Sequence, residues 1–565
     1  MSMSESLKQE KDVKVSKISE EQKKLTTAEL VVKCLENENV EYIFGIPGEE
    51  NLALINALKE SSIKFITTRH EQGAAFMADV YGRLTGKPGV CLSTLGPGAT
   101  NLMTGVADAN LDGAPLVAIT GQVGTDRMHI ESHQHLDLVA MFAPVTKWNK
   151  QIVRPDTAPE IVRKAFKTAV DEKPGACHID LPQNIADMPV EGKPLKHTLV
   201  DKSFASYSSI EKAAIAISRA KNPLILSGNG AIRSKANKAV LNMAERLNIP
   251  IANTFMGKGI VSFKHPLSLW SMGLAQKDYV NRIFEKTDLV IAIGYDIIEY
   301  SPKKWNPNGD INIIHIGENR AEVNKCYLPE VEVIGDISDS IYEIVRRSNR
   351  VNVPKQVLKI REDMEKDYKE YSNDDCCPMK PQKILYDLRK VMGEEDIVIS
   401  DVGAHKMWIA RNYHCYKPNT CIISNGFASM GIAIPGALAA KLVNPDKKVV
   451  AVTGDGGFMM NSQELETALR IGTPFVTLIF NDSNYGLIKW KQEERYGESA
   501  CIHFTNPDFK MYAESMGLKG YRITKAEDLI PTLEEALAQD VPSVIDCPVD
   551  YSENLKLSHK LEELK

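Results

Sequence analysis

Val449-Val450-Ala451-Val452-Thr453-Gly454-Asp455-Gly456-Gly457 and, a helical stretch later, Pro474-Phe475-Val476-Thr477-Leu478-Ile479-Phe480-Asn481-Asp482-Ser483-Asn484 decide how this chain folds. Each begins as an unbroken apolar run, the pattern of a strand buried on both faces of a parallel sheet, and each ends on a polar turn. Between them Asn461-Ser462-Gln463-Glu464 reads as the cap that opens a helix, so the whole is a βαβ unit. Its two strands run parallel, which brings Asp455 and Asp482 to the same carboxyl edge, where open α/β sheets bind ligands. Two carboxylates with loop carbonyls suit a hard octahedral cation such as Mg²⁺, which completes its shell with phosphate oxygens. Two solvated turn aspartates would give the same letters, so the reading needs a second half elsewhere in the chain.

The N-terminal part repeats the same grammar. A helix capped near Thr26 leads to a strand at Tyr42-Ile43-Phe44 and a tight turn at Gly45-Ile46-Pro47-Gly48. Ile63 to Thr67 is a second strand, which ends at Arg69-His70-Glu71-Gln72 before a helix from Ala74 to Leu84. Glu71 therefore stands at a strand-to-helix junction, a place where the helix dipole alone would favour an acid. Val90 to Thr94 precedes Gly96-Pro97-Gly98-Ala99-Thr100-Asn101, and Val117 to Gln122 precedes Glu131-Ser132-His133-Gln134-His135. The two histidines have no third ligand at a metal-binding spacing, so the segment reads as a polar loop. Strand, glycine turn and helix in alternation argue for parallel sheets with helices on both faces.

The middle of the chain alternates in the same way. Gly228-x-Gly230 after a strand is half of a dinucleotide fingerprint, but Arg233 stands where the third glycine belongs, so no NAD site is expected. A mixed-charge stretch with Pro354 and Pro378 as breakers then reads as a linker. Beyond it Ile397 to His405 runs from strand through a glycine turn into a helix, an arrangement that offers backbone N–H groups to phosphate. Ser424 to Gly431 precedes a small-residue helix. The organisation expected is a polar tail over 1–25, domains over 26–192, 200–350 and 381–550, a linker over 351–380 and a tail over 551–565.

At 565 residues the chain exceeds a single core, and 43% hydrophobic with 25% charged residues is ordinary globular composition. A net charge of −6 leaves no electrostatic footprint for nucleic acid. No apolar run reaches membrane-spanning length and the first residues are polar and charged, so a cytoplasmic protein is expected. Ten scattered cysteines without zinc spacing fit reduced thiols.

Gly454-Asp455-Gly456 followed by Asn481-Asp482 resembles the fingerprint of thiamine-diphosphate enzymes. Phe44-Gly45-Ile46-Pro47-Gly48, Arg69-His70-Glu71-Gln72-Gly73-Ala74-Ala75 and Gly96 to Asn101 resemble the pyrimidine-binding domain of the same enzymes. The resemblance spans about residues 26 to 555 and implies three doubly wound α/β domains: pyrimidine-binding, middle and diphosphate-binding. Within the class the chain is most similar to the catabolic acetolactate synthases, through Asp482, the Tyr295-Asp296 segment and Pro548-Val549-Asp550-Tyr551.

That resemblance implies condensation of two pyruvates to 2-acetolactate and CO₂ through a hydroxyethyl-thiamine-diphosphate carbanion. It makes Glu71 the carboxylate on the aminopyrimidine ring, Met430 the wedge between the cofactor rings and Gln134 an active-site residue. By the same resemblance Asp455, Asp482 and the carbonyl of Asn484 would hold Mg²⁺. The resemblance also implies that Gly48, Gly403, His405, Ser429, Gly454, Gly456, Gly457 and Tyr485 line the cofactor. FAD is not expected, because the Arg-Phe-Asp-Asp signature of the flavin-binding relatives is missing. Lys491 departs from the family pattern; it pairs with an acceptor carboxylate or points outward as surface charge, and both readings stay open. Sites shared between two subunits imply a homodimer or homotetramer. A decarboxylase or carboligase of another 2-oxo acid and an inactive structural or regulatory paralogue are the alternatives.

Overall fold

The structure, a computed structural model, describes residues 24–198, 202–273, 279–351 and 355–555. The segment before residue 24 and the charged end after residue 555, both expected as tails, lie outside the described residues.

Three six-stranded sheets, parallel at every pairing, carry the chain. The first holds β1 (Tyr42–Gly45), β2 (Lys64–Thr67), β3 (Gly89–Ser93), β4 (Leu116–Gln122), β5 (Trp148–Gln151) and β6 (Ala176–Pro182), in the order β2-β1-β3-β4-β6-β5. The second holds β7 (Pro223–Ser227), β8 (Ile251–Asn253), β9 (Ser268–Ser271), β10 (Leu289–Ile293), β11 (Asn312–Gly317) and β12 (Val331–Ile334), in the order β9-β8-β7-β10-β11-β12. The third holds β13 (Ile397–Ser400), β14 (Cys421–Ile423), β15 (Val449–Gly454), β16 (Val476–Asn481), β17 (Lys519–Arg522) and β18 (Ser543–Pro548), in the order β14-β13-β15-β16-β18-β17. The first and third sheets thus share one topology. The second has the strand order of doubly wound nucleotide-binding folds.

The central strands are apolar without alternation because helices cover both of their faces: every residue of β4 and Val449 to Thr453 of β15 are buried. The helices that position the site are α1 (Thr27–Asn37), α2 (Glu71–Thr85), α3 (Pro97–Asp112), α4 (Asn229–Arg233), α5 (Ala404–Asn412), α6 (Ala433–Val443), α7 (Asp455–Asn461), α8 (Glu464–Arg470) and α9 (Gly486–Tyr496). α1 opens on a capping box, with the Thr26 hydroxyl accepting from Glu29 N–H at 3.2 Å and Glu29 Oε2 accepting from Thr26 N–H at 2.7 Å. One apolar core is continuous between the first and third domains, where Ala74, Met77 and Val80 of α2 meet Ala433, Ala437 and Ala440 of α6. Gly436 permits the approach, since a Cβ there would stand 2.9 Å from Val80 Cγ2.

Three local expectations are corrected. Gly454 to Gly457 is not a turn: β15 runs to Gly454, and α7 begins at Asp455, an acid at a helix N-terminus where the dipole favours it. Asn461 to Glu464 is the joint between α7 and α8, and Gln463 makes no side-chain cap. Residues just past 550 are packed rather than free, with Glu553 and Asn554 buried and Trp408 Nε1 donating to Asn554 Oδ1 at 2.7 Å. The linker contains a helix over Lys355–Glu370 that buries Ile360 and Met364 against the middle domain.

Candidate functional site

β15 and β16 are neighbours, with Gly454 opposite Phe480, so the residues that follow them meet at one sheet edge. Asp455 Oδ1 accepts the N–H of Gly456 at 2.9 Å, while Oδ2 accepts Ser483 N–H at 2.6 Å and Asn506 Nδ2 at 2.8 Å. Ser483 takes a positive φ of 54° at this bend, with its N–H on Asp455. Burial raises the pKa of both acids, and the charge of Asp455 raises Asp482 further, to about 7, against an opposing pull from Lys489. Asn484 donates through Nδ2 to the Asp482 carbonyl, which leaves its Oδ1 buried without a partner among the described residues. The Asn484 carbonyl, the atom expected to face the metal, accepts Gly486 N–H at 2.9 Å and keeps one lone pair.

Under this edge His405, in the first turn of α5, packs on two glycines. A Cβ at Gly403 or Gly454 would stand 2.7 or 3.3 Å from its Cε1. Burial holds the imidazole neutral, with its pKa lowered to about 3, and its Nε2 is buried without a partner among the described residues. Gly456 lies beneath Tyr485 and Phe504, whose rings are 5.0 Å apart; a Cβ there would be 3.1 Å from Tyr485 Cε1. A Cβ at Gly457 would meet Asp401 Oδ1 at 3.0 Å. The loop bearing Ser429 and Met430 passes through positive φ at Ala428 (58°) and Gly431 (92°), and Gly431 N–H donates to Asp401 at 2.9 Å. Met430 is half-buried.

The second cluster sits on the first domain. Glu71 is the first residue of α2 and is 9% exposed; its Oε2 accepts Asn101 Nδ2 at 3.0 Å. Gly98 leaves a slot beside it, since a Cβ there would come within 3.3 Å of Glu71 Oε1. Gly48 packs on Thr94, whose hydroxyl donates to Glu50 Oε2 at 2.6 Å. Gln134, exposed and at a φ of 57°, lies over the same turn, where a Cβ at Gly96 would meet its Cβ at 2.8 Å. His135 Nδ1 is 3.1 Å from Gln122 Oε1, and His133 is exposed.

Among the described residues no hydrogen bond or ion pair joins Glu71 or Asn101 to Asp455, Asp482 or Asn484. Each half is assembled within its own domain. Lys491 is exposed on α9 and pairs with Glu494 at 2.9 Å, whereas Lys489 is the lysine whose charge acts on Asp482. Sequence reasoning missed Ser483, Phe504, Asn506 and Tyr551, which surround the acid pair. Asn101 stood inside a quoted motif without a role, and its spacing one helix after Glu71 was its only signal. Asn506 carried none, because it reaches Asp455 from a loop that returns through the Asn484–His503 bridge.

The donor set fits a divalent cation with a diphosphate. The buried Asp455, the half-buried Asp482 whose pKa it raises, an amide oxygen without a partner among the described residues and a carbonyl are hard oxygen ligands. The N-terminus of α5 and the unpartnered His405 Nε2 are polar groups that phosphate oxygens could satisfy.

Profiles of known families match in the order of the sheets. The thiamine pyrophosphate enzyme N-terminal TPP binding domain matches residues 25–141, the central domain 210–344 and the C-terminal TPP binding domain 401–547. The chain is 38% identical to "Acetolactate synthase" of Bacillus subtilis (strain 168), over 96% of this chain and 97% of that protein. It is 36% identical to "Acetolactate synthase, catabolic" of Raoultella terrigena, over 94% and 97%. It is also 36% identical to "Probable acetolactate synthase large subunit" of Methanococcus aeolicus, over 94% and 93%.

Proposed function

Because the chain belongs to the acetolactate synthase family of thiamine pyrophosphate enzymes, we propose that it is a transferase that joins two pyruvates into 2-acetolactate with loss of CO₂, using thiamine diphosphate and Mg²⁺. The observation that carries this reading is the acid pair Asp455–Asp482 beside the unpaired Asn484 Oδ1. Asp455, Asp482 and an oxygen of Asn484 would hold the cation, and the cation would hold the diphosphate. Gly403 and His405 would meet phosphate oxygens at the start of α5, and Tyr485, Gly456 and Gly457 would close that end.

When bound, thiamine supplies a carbon nucleophile and an electron sink for the charge left by CO₂. Glu71, held by Asn101 and facing the Gly98 slot, would keep a proton at the ring nitrogen of the pyrimidine and so set which nitrogen of that ring can move a proton. Met430 and Ser429 would shape the space between the rings. Gln134 would orient the substrate from the Gly96 turn. Since no hydrogen bond or ion pair among the described residues links Glu71 to the acid pair, the reading includes a homodimer or homotetramer in which a second copy completes each site.

The middle domain reads as flavin-free. At the turn where a dinucleotide phosphate would meet a helix N-terminus, both oxygens of Glu299 accept Asn229 N–H, at 2.9 and 3.1 Å, and Thr254 donates to the same carboxylate. That carboxylate takes the first N–H of this turn, which supports the flavin-free reading.

The test is pyruvate consumption by the purified protein with thiamine diphosphate and Mg²⁺, scored for acetoin after acid treatment. Acetaldehyde without acetoin would select a decarboxylase, and no turnover would select a non-catalytic paralogue.

A further inference from the structure

α2 carries Glu71 at its first position, yet lacks half of the usual device for fixing a helix start. Its N-cap, His70, accepts Gln72 N–H through Nδ1 at 3.0 Å. In a capping box the third helical residue would return the favour by accepting the N-cap N–H through a carboxylate. That third residue is Gly73. The missing carboxylate comes from the third domain: Glu464 Oε1 accepts His70 N–H at 2.9 Å and Arg69 N–H at 3.1 Å, while Oε2 accepts the Thr467 hydroxyl at 2.7 Å. Glu464 is fully buried, and Gly73 is what admits it, because a Cβ there would stand 2.7 Å from Glu464 Oε1. Around it the same two helices grip the same junction: Asn461 donates to Gln72 at 3.2 Å, Glu466 pairs with Arg69 at 2.6 Å, and Arg470 donates to the Thr67 carbonyl.

We propose that Glu464 is a positioning residue for Glu71, a capping-box carboxylate supplied from the diphosphate-binding domain to the helix start that aims the pyrimidine-side glutamate. α7 begins at Asp455 and is followed by α8, which begins at Glu464, so the segment that carries one metal-side acid also sets the pose of its own chain's Glu71. The inference rests on the reading of Glu71 given above.

Hydrogen–deuterium exchange and steady-state kinetics of the full-length protein, with and without thiamine diphosphate and Mg²⁺, test it. Glu464→Met keeps the bulk and removes both acceptors. It is expected to speed amide exchange over residues 69–72 in the cofactor-free protein about tenfold or more, and to lower kcat on the order of 10²-fold with little change in KM for pyruvate. Glu464→Gln, whose carbonyl oxygen can still accept both N–H groups, is expected to stay within about threefold of wild type on both readouts. Unchanged exchange and kcat in Glu464→Met, or equal damage in both variants, would overturn the proposal. Should Glu464→Met fail to fold, Thr467→Val, which removes one donor to the carboxylate, is expected to raise exchange over the same residues, and no rise would count against it. Glu71→Gln separates the two readings: if it turns over like wild type, the role of Glu71 fails; if it is impaired while Glu464→Met is not, only the positioning role fails.

Discussion

Glu71→Gln keeps the shape of the side chain beside Gly98 and an oxygen toward Asn101, but removes the charge. Turnover is expected to fall by about 10²- to 10⁴-fold while half-saturation by thiamine diphosphate changes far less, because the diphosphate is held on another domain. Equal losses in steady-state turnover and in cofactor titration would contradict the assigned role. A second residue reports on pH. His178 is buried with its ring stacked 4.0 Å from Phe142; it is 2.8 Å from the Thr120 hydroxyl, which donates to Asp180 Oδ1. Its Nδ1 has no partner among the described residues, and burial lowers its pKa to about 3. The unfolded imidazole binds a proton below its ordinary 6.5 and the folded one does not, so this group's stabilisation is present above pH 6.5 and is lost as pH falls from there toward 3. The loss reaches about 2 kcal/mol by pH 5. Asp180, raised to about 6 by burial, acts in the opposite sense over its own range. Urea denaturation of wild type and His178→Gln at pH 7 and pH 5 should therefore show a smaller acid loss in the variant.

Elements show where spacing was enough and where it was not. The apolar runs at Val449 and Val476 predicted neighbouring buried strands, and they are neighbours. The glycines marked where strands end, although Gly454 to Gly457 leads straight into a helix instead of a turn, and the contacts that require glycine were not legible. A Cβ on Gly45, in β1, would stand 2.1 Å from the Leu92 carbonyl oxygen of β3. Gly45→Ala is accordingly expected to destabilise the first domain by about 1–3 kcal/mol or more, read as a lower urea midpoint. Helix ends diverged for the same reason. α1 carries its whole capping box within four residues and could be read from the sequence, whereas the start of α2 borrows its carboxylate from a residue almost 400 positions away.

At the scale of the molecule, a buried ionic cluster joins the first and third domains. Arg83 donates to Asp79 at 2.7 Å, Asp108 at 2.9 Å and Asp112 at 2.7 Å. Asp108 accepts the Ser424 hydroxyl at 2.6 Å, and Asp112 accepts Asn425 N–H at 3.1 Å, so the loop leading to Met430 is tied to α3. Three acids on one guanidinium crowd negative charge, and burial followed by the neighbouring Asp112 and Asp79 pushes the Asp108 carboxyl well up. Arg83→Met would strand those acids and should cost about 3–5 kcal/mol, visible as early cleavage in limited proteolysis and a lower thermal midpoint. If sites form between copies, Glu71→Gln and Asp455→Asn chains, each inactive alone, should regain activity when refolded together. Random pairing puts one intact site in half of the dimers, a recovery of about one quarter of wild-type activity. No recovery would place both halves of the site in one chain.

Apolar runs, glycines and the acids at strand ends determined the parallel α/β sheets and the meeting of Asp455 and Asp482 at one edge, because period and turn chemistry act over a few residues and are written locally. Asn506 on Asp455, Glu299 on the helix start of the middle domain, Glu464 on the start of α2 and the outward Lys491 were decided by tertiary structure alone. Each of those depends on which distant segment fills a polar vacancy or leaves a charge in water, and a buried N–H or carboxylate must find its partner wherever the packed chain presents one.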